Sequence, residues 1–187
     1  MNRAALLNAA LQIGFAALRY GMIGWCYARI DLEEVGLINS LMTYVTAVTF
    51  VAGFELHYLL NRPLLLGLST ELSYGPDRIV LAGISTLLAA WLAGLMPFNS
   101  NYGLFFLLLI FMVSTVEYVA LELGRLLIIK GRFQVVTICG FIRSIAPFLA
   151  VMVTTPTLMS MLTSWLAGSA LVTTVQAVLL WRGGGIQ

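Results

Sequence analysis

The chain has 187 residues, 60% of them hydrophobic and only 10% charged, against about 25% charged in an ordinary soluble domain, which excludes a water-soluble globule. Ten basic residues against eight acidic give a formal charge of +2, too little and too scattered for the basic face that nucleic acid requires. A membrane span takes about 20 apolar residues, so six spans use about 120 and leave about 67 for connections and ends.

The apolar runs predict six transmembrane helices at about 4–27, 35–60, 79–96, 102–123, 133–153 and 158–181. They form one membrane domain over 1–182, followed by a flexible tail at 183–187 with three consecutive glycines. The runs are continuously apolar, whereas a barrel strand alternates its character over about ten residues. The expected fold is therefore an all-α integral membrane protein.

In the first run, Arg3 precedes an alanine-rich stretch that has the look of a cleaved signal peptide. Arg19 interrupts it, and the apolar pattern resumes through Ile23 and Trp25 without a clean small-residue cleavage site. A permanent span is the better reading. After the second helix, the connection 61–78 carries Pro63, a short apolar stretch and the turn Gly75-Pro76-Asp77. A short interfacial helix and a loop along the headgroups suit it equally. The turns at 98–101 and 154–157 are short and uncharged.

With the N-terminus inside, one side collects Arg3, Arg62, Arg78, Arg125, Lys130, Arg132 and Arg182, and the other only Arg29. Cytoplasmic loops retain Lys and Arg, so both termini are expected in the cytoplasm. Cys26 and Cys139 then fall at different depths, as small apolar fillers and not as a disulfide. His57 is the sole histidine, and no Cys/His spacing suits a metal. No Gly-rich phosphate loop follows a strand, so neither ATP nor another cofactor is expected.

The informative residues are the ionisable groups inside the apolar runs, Arg19, Glu55, His57, Glu117, Glu122 and Arg143. Each costs about 2.5–3.5 kcal/mol at a helix centre and less near an end. Glu122 lies three residues before Arg125 and reads as an interfacial i,i+3 pair. Glu55 and His57 fall near the inner end of the second helix, where a satisfied interfacial group is the simpler reading. Glu117 lies about a turn and a half from its expected helix boundary, and structural and functional roles suit it equally. Arg19 and Arg143 lie deeper, and their depth asks for a polar cavity or a buried partner such as Glu55 or Glu117. Four residues after Arg143, Pro147 lacks an N–H, so a kink is expected there. The kink serves either a polar cavity or helix packing alone. Small residues such as Gly21 with Gly24, and Ser164 with Gly168, allow close helix approach.

The stretch Arg29-Ile-Asp-Leu-Glu-Glu-Val-Gly-Leu-Ile-Asn-Ser opens a second span that reaches Gly53-Phe-Glu-Leu and ends at Asn61-Arg62. It resembles the first loop and second helix of polysaccharide and lipid-linked oligosaccharide flippases of the MOP exporter superfamily. A second likeness lies in 121–133, where Gly-Arg closes the fourth helix and Lys-Gly-Arg-Phe opens the fifth. The resemblance covers the whole chain by topology and about forty residues by pattern.

It implies one six-helix lobe of a MOP-type exporter in the cell inner membrane, translocating a polyprenyl-linked saccharide or polysaccharide. Buried cations in the cavity between lobes hold the pyrophosphate, and Arg19 matches the family's cationic residue on the first helix. Arg143 joins it on the grounds of depth and Pro147, and Glu55 or Glu117 balances the charge or couples transport to an ion. Arginine suits the role because its planar fork binds phosphate bidentately and stays charged. Family members have twelve or more helices in two lobes, so a homodimer or a second membrane subunit would complete the cavity.

An alternative follows from that incompleteness. The lobe would then be a non-transporting scaffold subunit, docking a polymer-making enzyme or another membrane complex. A third reading, intramembrane catalysis, rests on Gly83-Ile84-Ser85 with His57 as base. That superficially resembles rhomboid-type proteases, but there the serine helix precedes the histidine helix and here the order is reversed. No catalytic residue is expected.

Overall fold

The computed structural model describes residues 3–29, 31–53, 103–153 and 157–182. Within them the chain is helical throughout: α1 (Arg3–Tyr27), α2 (Leu32–Gly53), α3 (Leu104–Ile129), α4 (Phe133–Val153) and α5 (Leu158–Arg182). Two of these, α3 with 26 residues and α5 with 25, are long and apolar enough to cross a membrane, and 133–149 of α4 is a shorter apolar helix. The expected third span at 79–96, the connection 61–78, Glu55, His57 and the tail 183–187 lie outside the described residues.

Helix ends differ from the sequence expectation at two places, each for a local reason. α2 starts at Leu32, earlier than residue 35, and carries Glu33 and Glu34 in its first turn. Both carboxylates face the positive end of the helix dipole there. α3 does not end near residue 123 but runs on to Ile129. It closes where Gly131 takes φ +74°, with Gly131 N–H donating to Ile128 O at 2.8 Å and Arg132 N–H to Leu127 O at 2.9 Å. Paired 5→2 and 6→1 bonds with glycine in the left-handed region make a Schellman stop. α5 opens on Thr157 and Ser160, whose side chains each accept the other's backbone N–H, at 3.2 and 3.1 Å.

Packing orders the helices along a common axis. α3 and α5 run parallel: Glu117 meets Trp165 and Ser169, Gly124 lies against Gln176, and Leu127 shares a cluster with Leu180. α4 runs against both, with Ala146 at Ser164 and Gly168, and Val136 near Gly124. The chain ends marked by Lys130, Arg132 and Arg182 therefore lie at one end of the bundle. At the other, α1 and α2 are tied by Tyr27 and Asn39 side chains, and Arg29 stacks over Trp25 at 4.2 Å.

Two apolar clusters make the core. The larger, at the Arg29 end, joins α2, α3 and α5 through Ile38, Leu41, Ile110, Val113, Leu162 and Trp165. The smaller, at the Arg182 end, holds Leu123, Leu126, Leu127 and Leu180. Between and around them the α3–α5 seam buries polar side chains: Ser114, Glu117, Ser169 and Gln176. On α1, Ala10, Gly14, Ala17, Gly21 and Gly24 repeat at alternating four- and three-residue steps and are all exposed.

Candidate functional site

Glu117 lies near the middle of the 26-residue α3 and is only 8% exposed. The longer α3 corrects its expected depth: it is central, not a turn and a half from a boundary. One carboxylate oxygen, Oε1, accepts hydrogen bonds from Trp165 Nε1–H at 2.9 Å and from the Ser169 hydroxyl. The other, Oε2, faces Arg143 Nε at 3.3 Å. Nε lacks hydrogen-bond geometry to any partner among the described residues, so this contact is an ion pair by proximity alone. Both side chains are largely buried, at 17% exposed for Arg143 and 10% for Glu117.

The local sequence explains the arrangement. Trp165, Ser169 and Gln176 fall at steps of four and seven residues, on the face of α5 turned to α3. Close approach of α4 to α5 brings Arg143 within reach. Gly168 makes this possible, since a Cβ there would stand 2.3 Å from the Cβ of Ala146. Ser164 Oγ donates to the Ala146 carbonyl at 2.7 Å, filling an acceptor beside Pro147. Pro147 is itself buried inside α4, and the helix continues through it to Val153.

Arg143 is thus neutralised across two helices by Glu117, one of the two partners named from its depth. Glu122 and Arg125 form the expected i,i+3 pair, half-buried on α3. Arg19 belongs to α1, but its side chain lies outside the described residues, as do Glu55 and His57. Cys26 and Cys139 are buried free thiols. Sequence reasoning missed Trp165 and Ser169, although their spacing on one face was a readable signal. It also missed Ser114 Oγ and Gln176 Oε1, buried atoms without a hydrogen-bond partner among the described residues.

An open groove of about 460 Å³ separates α1 from α4. Gln12, Ala16, Thr137, Gly140 and Ser144 line it, and Phe15 stacks on Phe141 with ring centroids 4.1 Å apart. Its volume is within the range of about 300–1,000 Å³ usual for ligand sites. Gly140 and Ser144 flank Arg143 in sequence, so the groove is built by the same turns of α4 as the ion pair.

Compared with family models, curated proteins and solved structures, the chain matches none.

Proposed function

We propose that the chain is a six-helix lobe of an inner-membrane translocase for a polyprenyl-linked saccharide or polysaccharide, facing a second lobe from another copy or a partner subunit. The observation that carries the reading is the largely buried Arg143–Glu117 pair at mid-helix. An ion pair taken out of water is at best weak evidence for stability, because desolvation offsets its attraction. Ionisable groups at membrane depth instead mark substrate or ion pathways. Arg143 supplies the fork that recognises a pyrophosphate, and Glu117 is its counter-ion when no substrate is bound. Arg19 on α1 is the second phosphate ligand, with Glu55 as a further balancing acid.

Charge placement supports the orientation. Lys130, Arg132 and Arg182 share one end of the bundle, and the opposite end carries Arg29 with Asp31, Glu33 and Glu34. The positive-inside rule puts the first end in the cytoplasm. The exposed row of small residues on α1 supports a second lobe, since such rows let another helix approach closely. The protein acts on lipid-borne substrate without a cofactor, and no catalytic step is assigned to it.

A second reading is favoured by one observation: Glu117 already neutralises Arg143. In that reading the pair fastens α3 to α4, and the lobe is a scaffold subunit of a polysaccharide-synthesis complex. Native mass and lipid content in a mild detergent separate the two. A dimer or two-lobe complex carrying a polyprenyl-linked sugar supports translocation. A stable complex with a glycosyltransferase-like subunit, free of such lipid and of a second lobe, supports the scaffold.

A further inference from the structure

The two oxygens of Glu117 are held in different ways. Oε1 receives two neutral donors, Trp165 Nε1–H and the Ser169 hydroxyl, both on α5. Among the described residues Oε2 has only the Arg143 contact at 3.3 Å, without hydrogen-bond geometry. The carboxylate is anchored on one side and loosely paired on the other. A pair whose sole purpose was to fasten helices would be expected to use the bidentate fork, which adds both energy and direction.

Resting on the translocase reading, we infer that Trp165 and Ser169 are positioning residues for anion exchange at Arg143. They hold Glu117 by Oε1, so that Arg143 passes from Oε2 to a phosphate or pyrophosphate while the carboxylate stays in place. When Arg143 turns to the anion, Glu117 loses its cation in a largely buried site. The two neutral donors then become its remaining support, and hydrogen bonds to a charged group are worth more than neutral ones. They stabilise the anion-bound state more than the resting state. Arg143 carries five donors in one fork, enough to engage the anion through its terminal nitrogens.

The dependence on charge gives the test. The full chain is placed in phosphatidylcholine nanodiscs, and binding of inorganic pyrophosphate and of farnesyl pyrophosphate is titrated for the parent, Trp165→Phe and Ser169→Ala, each with and without Glu117→Gln. Ser169→Ala removes a hydroxyl and little volume, which guards against a variant that fails to fold. Glu117→Gln alone should tighten binding about tenfold, because Arg143 is released from a charged competitor. Trp165→Phe and Ser169→Ala should each weaken binding about tenfold in the parent. With Glu117→Gln present they should have little effect, since no charge is then left behind. A merely structural role lowers thermal stability and leaves that difference at zero. Equal weakening in both backgrounds overturns the inference while leaving Arg143 as the anion site. No binding of either probe to the parent or to Glu117→Gln overturns the translocase reading and the inference together. Tighter binding of the isoprenoid form with the same charge dependence supports exchange at a lipid headgroup, and equal binding of both forms supports exchange with a free anion.

Discussion

At the scale of single residues, Glu117 and Arg143 form a unit whose halves cannot be judged apart. Removing either partner leaves an uncompensated charge in a buried site, which costs about 3–5 kcal/mol, whereas replacing both is far milder. Arg143→Ala and Glu117→Ala should each lower thermal stability strongly in detergent, and Glu117→Gln/Arg143→Gln should recover most of it. A double variant as unstable as the singles would contradict this. That each residue needs a partner was legible from the sequence, because an ionisable group in an apolar run must find one. Which partner Arg143 takes was not legible, since Glu55 and Glu117 both stood at compatible depth. Trp165 and Ser169 escaped notice because a tryptophan and a serine are ordinary in an apolar helix. Only the shared face of Trp165, Ser169 and Gln176 marked them.

At the scale of elements, glycine has three different roles, and the sequence separates them poorly. Gly124 looked like the end of its helix, beside Arg125, yet α3 runs on through it because Leu126 and Leu127 are buried beyond. The stop is Gly131, with φ +74°, so Gly131→Ala should cost about 1–2 kcal/mol for the left-handed conformation. Gly168 is the point of closest approach between α4 and α5, where an added Cβ meets Ala146 Cβ at 2.3 Å. Gly168→Ala should destabilise by about 1–3 kcal/mol or more through overpacking. Gly124→Ala should be milder, since its nearest neighbour, at 3.4 Å, is the far end of the Gln176 side chain. Thermal unfolding of the three variants gives the order, and a Gly124→Ala loss above that of Gly168→Ala would contradict the packing. Ser164 and Gly168 were legible as a close-contact motif, but not the element that fills it.

At the scale of the whole molecule, the alternating course of α3, α4 and α5 puts the basic loop after Ile129 and the end of α5 on one side. In a background of Cys26→Ala and Cys139→Ala, Arg132→Cys should react with an impermeant thiol reagent only from the cytoplasmic face, and Asp31→Cys only from the opposite face. Labelling of both from one side would contradict the topology. The all-helical class was legible from composition and run length, because only helices satisfy every backbone group within an apolar segment. The polar seam through the core was not, because it is assembled from α3, α4 and α5 and has no contiguous pattern. In the translocase reading this seam moves an anion and does not only fasten helices. Translocation of a fluorescent polyprenyl-pyrophosphate saccharide in vesicles tests it directly, comparing the parent with Glu117→Gln/Arg143→Gln at matched folded amounts. The parent should translocate the lipid and the double variant should not; undiminished translocation by the folded double variant would mean that the pair only fastens helices.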